Sequence, residues 1–309
     1  MNIRKTKRYI AAIAAIPILL FHLWIPVFSY GSTAGNIERF LIATGYIGVD
    51  IFFFISAYTM AIRPVEDYCS FLINRLVKLL PLFIVAWLLG ELLWFIPSLM
   101  AVYVLFPPIY RIGLKKPVMT GILAMAVWAV LTVLLLGVLG LPQGMGNFLF
   151  RIPIIAAGAY MAAIEGRIPA RVRLILSIFL VASGFFILYR FGYMNRISKP
   201  FDDIFYLTGI PATIGIIMLT DLIFGKVRAR IIERFGKITL EIYFFQMVAG
   251  KFLITKLFGI TKNRLITNLF VLAITVAASV VINRLMSALE NRFKPEPRLK
   301  NLQKADNRD

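Results

Sequence analysis

The chain has 309 residues, is 60% hydrophobic, and carries 34 Lys and Arg against 15 Asp and Glu, a formal net charge of +19. That composition leaves too little polar surface for a soluble globular domain, so a soluble enzyme or a soluble nucleic-acid-binding protein is excluded despite the charge. One cysteine, Cys69, excludes an intramolecular disulfide and a multi-Cys metal site.

Apolar runs of about 20 residues recur along the chain, each long enough to cross a bilayer core. They are continuous and do not alternate, so the sequence predicts an all-α polytopic membrane protein and not a β-barrel. The membrane domain is expected over 1–290, with a short charged cytoplasmic tail over 291–309. The N-terminal "MNIRKTKR" runs into the first apolar stretch without a small-residue cleavage site, so that helix is expected to stay in place. Ten helices are expected, at 9–28, 41–62, 72–90, 92–110, 117–139, 150–165, 173–190, 204–224, 237–257 and 265–285. The stretch 79–110 reads either as one long tilted helix or as two joined at Gly90–Glu91 in "LLGELLW".

Charge favours the turn. Basic clusters lie at the N-terminus, at Arg111/Lys115/Lys116, at Arg167/Arg171/Arg173, at Lys226/Arg228/Arg230/Arg234 and in the tail. Ten helices with both termini cytoplasmic put all of them on one side, and the near-uncharged "SYGSTAGN" and "GLPQGMGN" on the other. Arg196/Lys199 and Lys256/Lys262 run weakly against the bias. Anionic lipid headgroups or a phosphorylated ligand are the natural partners of such a basic face. No internal repeat signals the inverted symmetry of many transporters.

His22 is the only histidine, and it lies inside the apolar run "YIAAIAAIPILLFHLWIPVF". A helix over 9–28 puts it about 9 Å from the outer end, and Asp50 in "GYIGVDIFFFISAYT" then lies about 13 Å below the outer surface on the next helix. The two are expected at similar depth. They read either as a general base with its orienter or as a structural interhelical hydrogen bond. Arg75 and Lys78 in "FLINRLVKLLP" share a helical face near the cytoplasmic end, within the first two turns. They read either as snorkelling cations or as a pocket for phosphates. Glu241, a turn inside the ninth helix, is expected to pair with Lys237 or to support the site. Arg151 heads the sixth helix at the outer face, as an acceptor contact or an interfacial anchor. Glu91 is expected to be solvated, and Trp94 and Tyr103 to be packing or belt residues, or acceptor contacts or supports of the site. No P-loop, HExxH, GxSxG or metal-ligand cluster is present.

A helical His followed by "GYIGVDIFFFISAYT" and "FLINRLVKLLPLF" resembles the membrane acyltransferase family 3, which O-acylates surface glycans and related molecules. "LLWFIPSLMAVYVLFPPI" is similar to that family's Trp…Tyr…Pro helix, through Trp94, Tyr103 and Pro107. "FRIPIIAAGAYMA" resembles its Arg-x-Pro…Gly helix, through Arg151, Pro153 and Gly158, and "FGKITLEIYFFQ" its penultimate helix. The resemblance runs from about residue 8 to 285. It implies that His22 is catalytic beside the Gly48–Asp50 motif, and that Arg75 and Lys78 match an Arg-x-x-Arg pair that binds the donor. It implies acyl-CoA, acetyl-CoA first, as co-substrate, with no permanently bound cofactor, and a glycan or glycolipid acceptor in a bacterial cytoplasmic membrane. Four departures stand out. Lys78 replaces an Arg and loses its fork geometry. Ala11 falls where a first-helix Arg is usual, with Arg8 the nearest substitute. Gln246 stands where many relatives have a His, and the fused extracytoplasmic hydrolase-like domain of some members is absent.

The sequence therefore supports an O-acyltransferase of the cell envelope. An exporter of a polysaccharide or lipid-linked intermediate, and a structural partner of a polysaccharide-assembly complex, are the competing readings.

Overall fold

The computed structural model describes residues 3–62, 68–91, 93–113, 117–140, 143–193 and 202–293. Lys115, Lys116, Arg196, Lys199 and most of the charged tail lie outside them. Among the described residues the chain is helical, without strands. Its α-helices are α1 Ile3–Leu23, α2 Thr33–Ala43, α3 Gly45–Ile62, α4 Tyr68–Leu88, α5 Phe95–Gly113, α6 Pro117–Thr132, α7 Gln143–Leu149, α8 Ile152–Ile164, α9 Ala170–Ile187, α10 Ile210–Phe224, α11 Arg230–Phe235, α12 Thr239–Thr261 and α13 Arg264–Phe293. π-helical turns extend α6 over Val133–Val138 and α9 over Leu188–Tyr193, and a 3₁₀ segment, Asp202–Gly209, leads into α10.

Among the described residues nine helical stretches are long and apolar enough to cross a membrane, and the shorter apolar Phe95–Pro107 of α5 is a tenth. The expected turn between the third and fourth spans is present. Gly90 sits at φ 82°, which a side chain would strain, and the Glu91 amide donates to the Ala86 carbonyl at 2.9 Å. Glu91 is half-buried there, where a solvated side chain was expected.

Two of the boundaries that differ from the expectation do so for a local reason. α1 stops at Leu23, not near 28, because Pro26 follows and a helix rarely continues into the residue before proline. Side chains from elsewhere hold the unwound stretch that follows. Glu38 accepts from the Trp24 indole at 2.8 Å, the Val27 amide at 2.8 Å and the Phe28 amide at 3.0 Å. Asn268 brackets Ile25, accepting from its amide at 2.9 Å and donating to its carbonyl at 2.8 Å. The expected helix 41–62 divides at Thr44, whose hydroxyl donates to Leu41 O at 2.6 Å, so the short α2 precedes α3.

Close backbone approach sets the packing. A Cβ on Gly48 would meet the Ala14 carbonyl and Ile18, and one on Gly45 would meet Phe21, so these glycines let α3 lie directly on α1. A Cβ on Gly158 would meet the Phe54 carbonyl, which seats α8 on the other side of α3. α1 also carries α12, with Gly250 against Leu23, and the end of α11, with Gly236 against the Arg8 carbonyl. The largest apolar core runs through α1, α3, α4, α5, α8, α10 and α12.

Cys69 is exposed at the start of α4, on the loop expected to face the cytoplasm. A membrane-impermeant maleimide is expected to label it only after cells are permeabilised. Labelling of intact cells would reverse the orientation.

Candidate active site

The sequence marks Asp50 and His22 as partners, and the structure separates them. With α1 and α3 antiparallel and Gly48 seated on Ala14 and Ile18, Asp50 falls near the level of Ala14. His22 stands eight residues further along α1, about 12 Å up the helix axis. It lies in the last turn of α1, not well inside a longer helix as expected.

Asp50 pairs instead with Arg151. The Arg151 Nε stands 3.2 Å from Asp50 Oδ1, an ion pair without hydrogen-bond alignment, and both residues are 1% exposed. The guanidinium is also held between two rings, 4.9 Å from the Trp94 centroid and 4.2 Å from Tyr206, and it donates to the Asn147 carbonyl. Arg151 is therefore neither an interfacial anchor nor open to an acceptor. Trp94, expected to be a packing or belt residue, is a cation–π platform for it. This cluster ties α3, α8, the turn before α5 and the 3₁₀ segment before α10 into one block.

A second group surrounds a cavity between α1, α3, α4, α5 and α12, with a volume of about 170 Å³. Its walls include Ala15 and Ile18 of α1, Val49, Phe52 and Ser56 of α3, and Thr239, Tyr243 and Gln246 of α12. Arg75 and Lys78 of α4 and Tyr103 of α5 line it as well. Arg75 is half-buried, its guanidinium 5.2 Å from the Phe71 ring and 5.0 Å from the Tyr103 ring, and Lys78 is exposed. Because α4 begins at Tyr68, earlier than expected, the two cations lie in its second and third turns. Ala15, Ile18 and His22 follow i, i+3, i+7 spacing and share a face of α1, so His22 stands one turn beyond the cavity wall. Lys251 of α12 is within electrostatic reach of its ring, and Phe21 meets the ring edge-on at 4.9 Å.

The remaining sequence candidates separate. Glu241 is buried and accepts from the Asn283 amide at 2.8 Å, not from Lys237. Arg8, the nearest substitute for the missing first-helix Arg, pairs with Glu233 at 2.6 Å on α11. That hydrogen bond, together with the Arg8 charge, holds the Glu233 carboxyl below its ordinary range. Sequence reasoning missed Lys7. It is exposed, it lies on the face of Ala11, Ala15 and Ile18, and it feels the charges of Arg4, Arg8, Arg75 and Lys78. Its position one turn before Ala11 was a usable signal. Tyr206, Glu38 and Asn268 were missed too, and no local pattern marks them. Among the described residues no group of three or more His, Cys, Asp or Glu could hold a metal ion.

The acyltransferase domain that defines acyltransferase family 3 matches residues 91–284, and the chain belongs to that family. The match takes in Trp94, Tyr103, Arg151, Glu241 and Gln246. His22, Asp50, Arg75 and Lys78 lie before it. No curated protein and no solved structure matched the chain.

Removing one member of the buried pair should leave an uncompensated charge. Asp50→Ala and Arg151→Leu are each expected to cost about 3–5 kcal/mol, and Asp50→Ala combined with Arg151→Leu less than the sum. Thermal unfolding in detergent measures this. Additive losses would mean that the two side chains do not depend on each other.

Proposed function

We propose that this family 3 acyltransferase moves an acyl group, acetyl in the simplest case, from acyl-CoA to a hydroxyl of a cell-surface or lipid-linked glycan. The observation that supports it best is the cavity lined by Arg75 and Lys78 that rises along α1 toward the face carrying the one histidine. In this reading the basic end faces the cytoplasm of a bacterial cell and the protein sits in the cytoplasmic membrane.

The phosphates of the donor meet Arg75, Lys78 and Lys7, whose combined charge offsets the cost of bringing a polyanion into the bundle. Lys7 takes the place on α1 that Ala11 leaves without a cation. The pantetheine arm follows the cavity and brings the thioester to His22. An acceptor hydroxyl arrives from the other side, where the stretch 24–28 is held open by Glu38 and Asn268. His22 takes the hydroxyl proton while the oxygen attacks the thioester carbonyl. The carbon–sulfur bond then breaks, the ester forms, and the proton returns to the departing thiolate. The apolar walls keep competing water from the thioester. Asp50 acts on this site through α3, whose Val49 and Phe52 line the cavity, and is a positioning residue.

Two measurements decide between this and the exporter and assembly-partner readings. Purified protein in detergent is expected to transfer label from radiolabelled acetyl-CoA to a lipid-linked glycan extract, where no gradient exists. His22→Gln is expected to lower that rate at least about 100-fold, because glutamine keeps hydrogen bonding but takes no proton. Near-normal turnover by folded His22→Gln protein would remove His22 from the chemistry.

Single Ala variants of Arg75, Lys78 and Lys7 are expected to raise the donor KM about 10-fold or more each, since a charge-assisted hydrogen bond contributes about 1.5–3 kcal/mol. A wild-type donor KM in all three would leave them as snorkelling cations.

A further inference from the structure

Gln246 is a polar residue of the cavity wall that the mechanism so far does not use. It lies on α12, is 2% exposed, and lines the cavity. Its side-chain oxygen and side-chain nitrogen are both buried, and neither has a hydrogen-bond partner among the described residues. A carboxamide left with both ends empty in an apolar bundle is costly, and such a group persists where a ligand completes it.

Position narrows the ligand. Along α12 the cavity runs from Thr239 to Gln246, seven residues or about 10 Å. Gly250 lies against Leu23, so Gln246, one turn earlier, is level with the turn of α1 just before His22. The offset from His22 is roughly 5 Å along the axis. The pantetheine arm has about as many backbone bonds as four amino-acid residues, so extended it reaches roughly 14 Å, close to the whole path. Its cysteamine amide is three bonds from the sulfur, about one residue or roughly 3.5 Å. A thioester delivered to His22 therefore brings that amide alongside Gln246.

We propose that the Gln246 side-chain oxygen accepts a hydrogen bond from the cysteamine amide N–H of the acyl donor, and so fixes the thioester at the height of His22. The side-chain nitrogen remains to donate to a carbonyl of the arm. This assignment rests on the acyl-CoA reading above and deepens it. It makes Gln246 a donor-positioning residue whose partner is an amide, not a charge.

The experiment is equilibrium binding of acetyl-CoA to the purified full-length protein in lipid nanodiscs. The comparison ligand is an analogue in which the cysteamine amide –NH– is replaced by –O–, which removes the donor and keeps the arm's length. Wild-type protein is expected to bind the analogue about tenfold more weakly than acetyl-CoA. Gln246→Leu is expected to bind both equally, at the weaker level, and Gln246→Met serves in its place if the Leu variant does not fold. Equal binding of the two ligands by wild-type protein would overturn the assignment without any variant. Discrimination that survives in the Leu or Met variant would overturn it too. If wild-type protein binds no acetyl-CoA at all, the donor reading itself fails. Binding without discrimination removes only the role of Gln246.

Discussion

The Asp50–Arg151 pair is the constraint around which this bundle is arranged. An isolated carboxylate or guanidinium in a membrane interior is costly, so each can be buried only because the other is there. The pair also reaches outward. Trp94 and Tyr206 close on the guanidinium and tie it to the turn before α5 and to the 3₁₀ stretch before α10. The close seats of Gly48 on α1 and Gly158 on α3 then carry that order to both sides of α3. Val49 and Phe52, immediate neighbours of Asp50, form one wall of the cavity. A change at the ion pair is therefore felt at the cavity wall, although Asp50 does not line the cavity.

The two ends of α1 have different tasks. At the basic end the helix carries Arg4, Lys7 and Arg8, of which Arg8 is committed to Glu233 and Lys7 is within electrostatic reach of Arg75 and Lys78. At the other end the helix stops at Leu23, and Glu38, Asn268 and Arg264 hold the extended chain that follows. Backbone without internal hydrogen bonds survives at such depth only where protein groups satisfy it. Those three side chains supply the partners, and they leave His22 in the last ordered turn beside an irregular segment.

Spans, unlike partners, are visible in a sequence. The ten apolar segments and the Gly90–Glu91 turn could be read because bilayer thickness fixes length and the basic bias fixes parity. Asp50, Arg151, Arg75 and Lys78 could be picked out because charged residues in apolar runs are rare. Who meets whom could not, because it depends on helix register. "IPVF" after Leu23 continues the apolar run, so hydropathy hides the end of α1, and only Pro26 betrays it. Misplacing that end by five residues, about 7.5 Å, moves His22 toward the depth of Asp50 and suggests a pair that the register of Gly48 on Ala14 forbids. The true partner of Asp50 lies far along the chain, at the head of α8, and Arg151 there looks like any interfacial arginine.

Reach decides where the chemistry can sit. A bilayer core is about 30 Å thick, and an extended pantetheine arm spans roughly half of it. If the donor is an acyl-CoA, as proposed, one held at the headgroups would stop short of a histidine in the last turn of α1, and its phosphates would have to sink into the bundle. Arg75 and Lys78 meet that need because they stand seven and ten residues inside α4, about 10–15 Å from its start. Cations that deep are poor snorkellers and good counter-charges for a phosphate drawn into the bundle. The half-buried Arg75, flanked by Phe71 and Tyr103, is held in place before any donor arrives. Moving the pair one turn toward the start of α4 would lower the donor by about 5 Å and draw the thioester away from His22. In the proposed reading the separation between the cations and the histidine sets the length of arm that the site accepts.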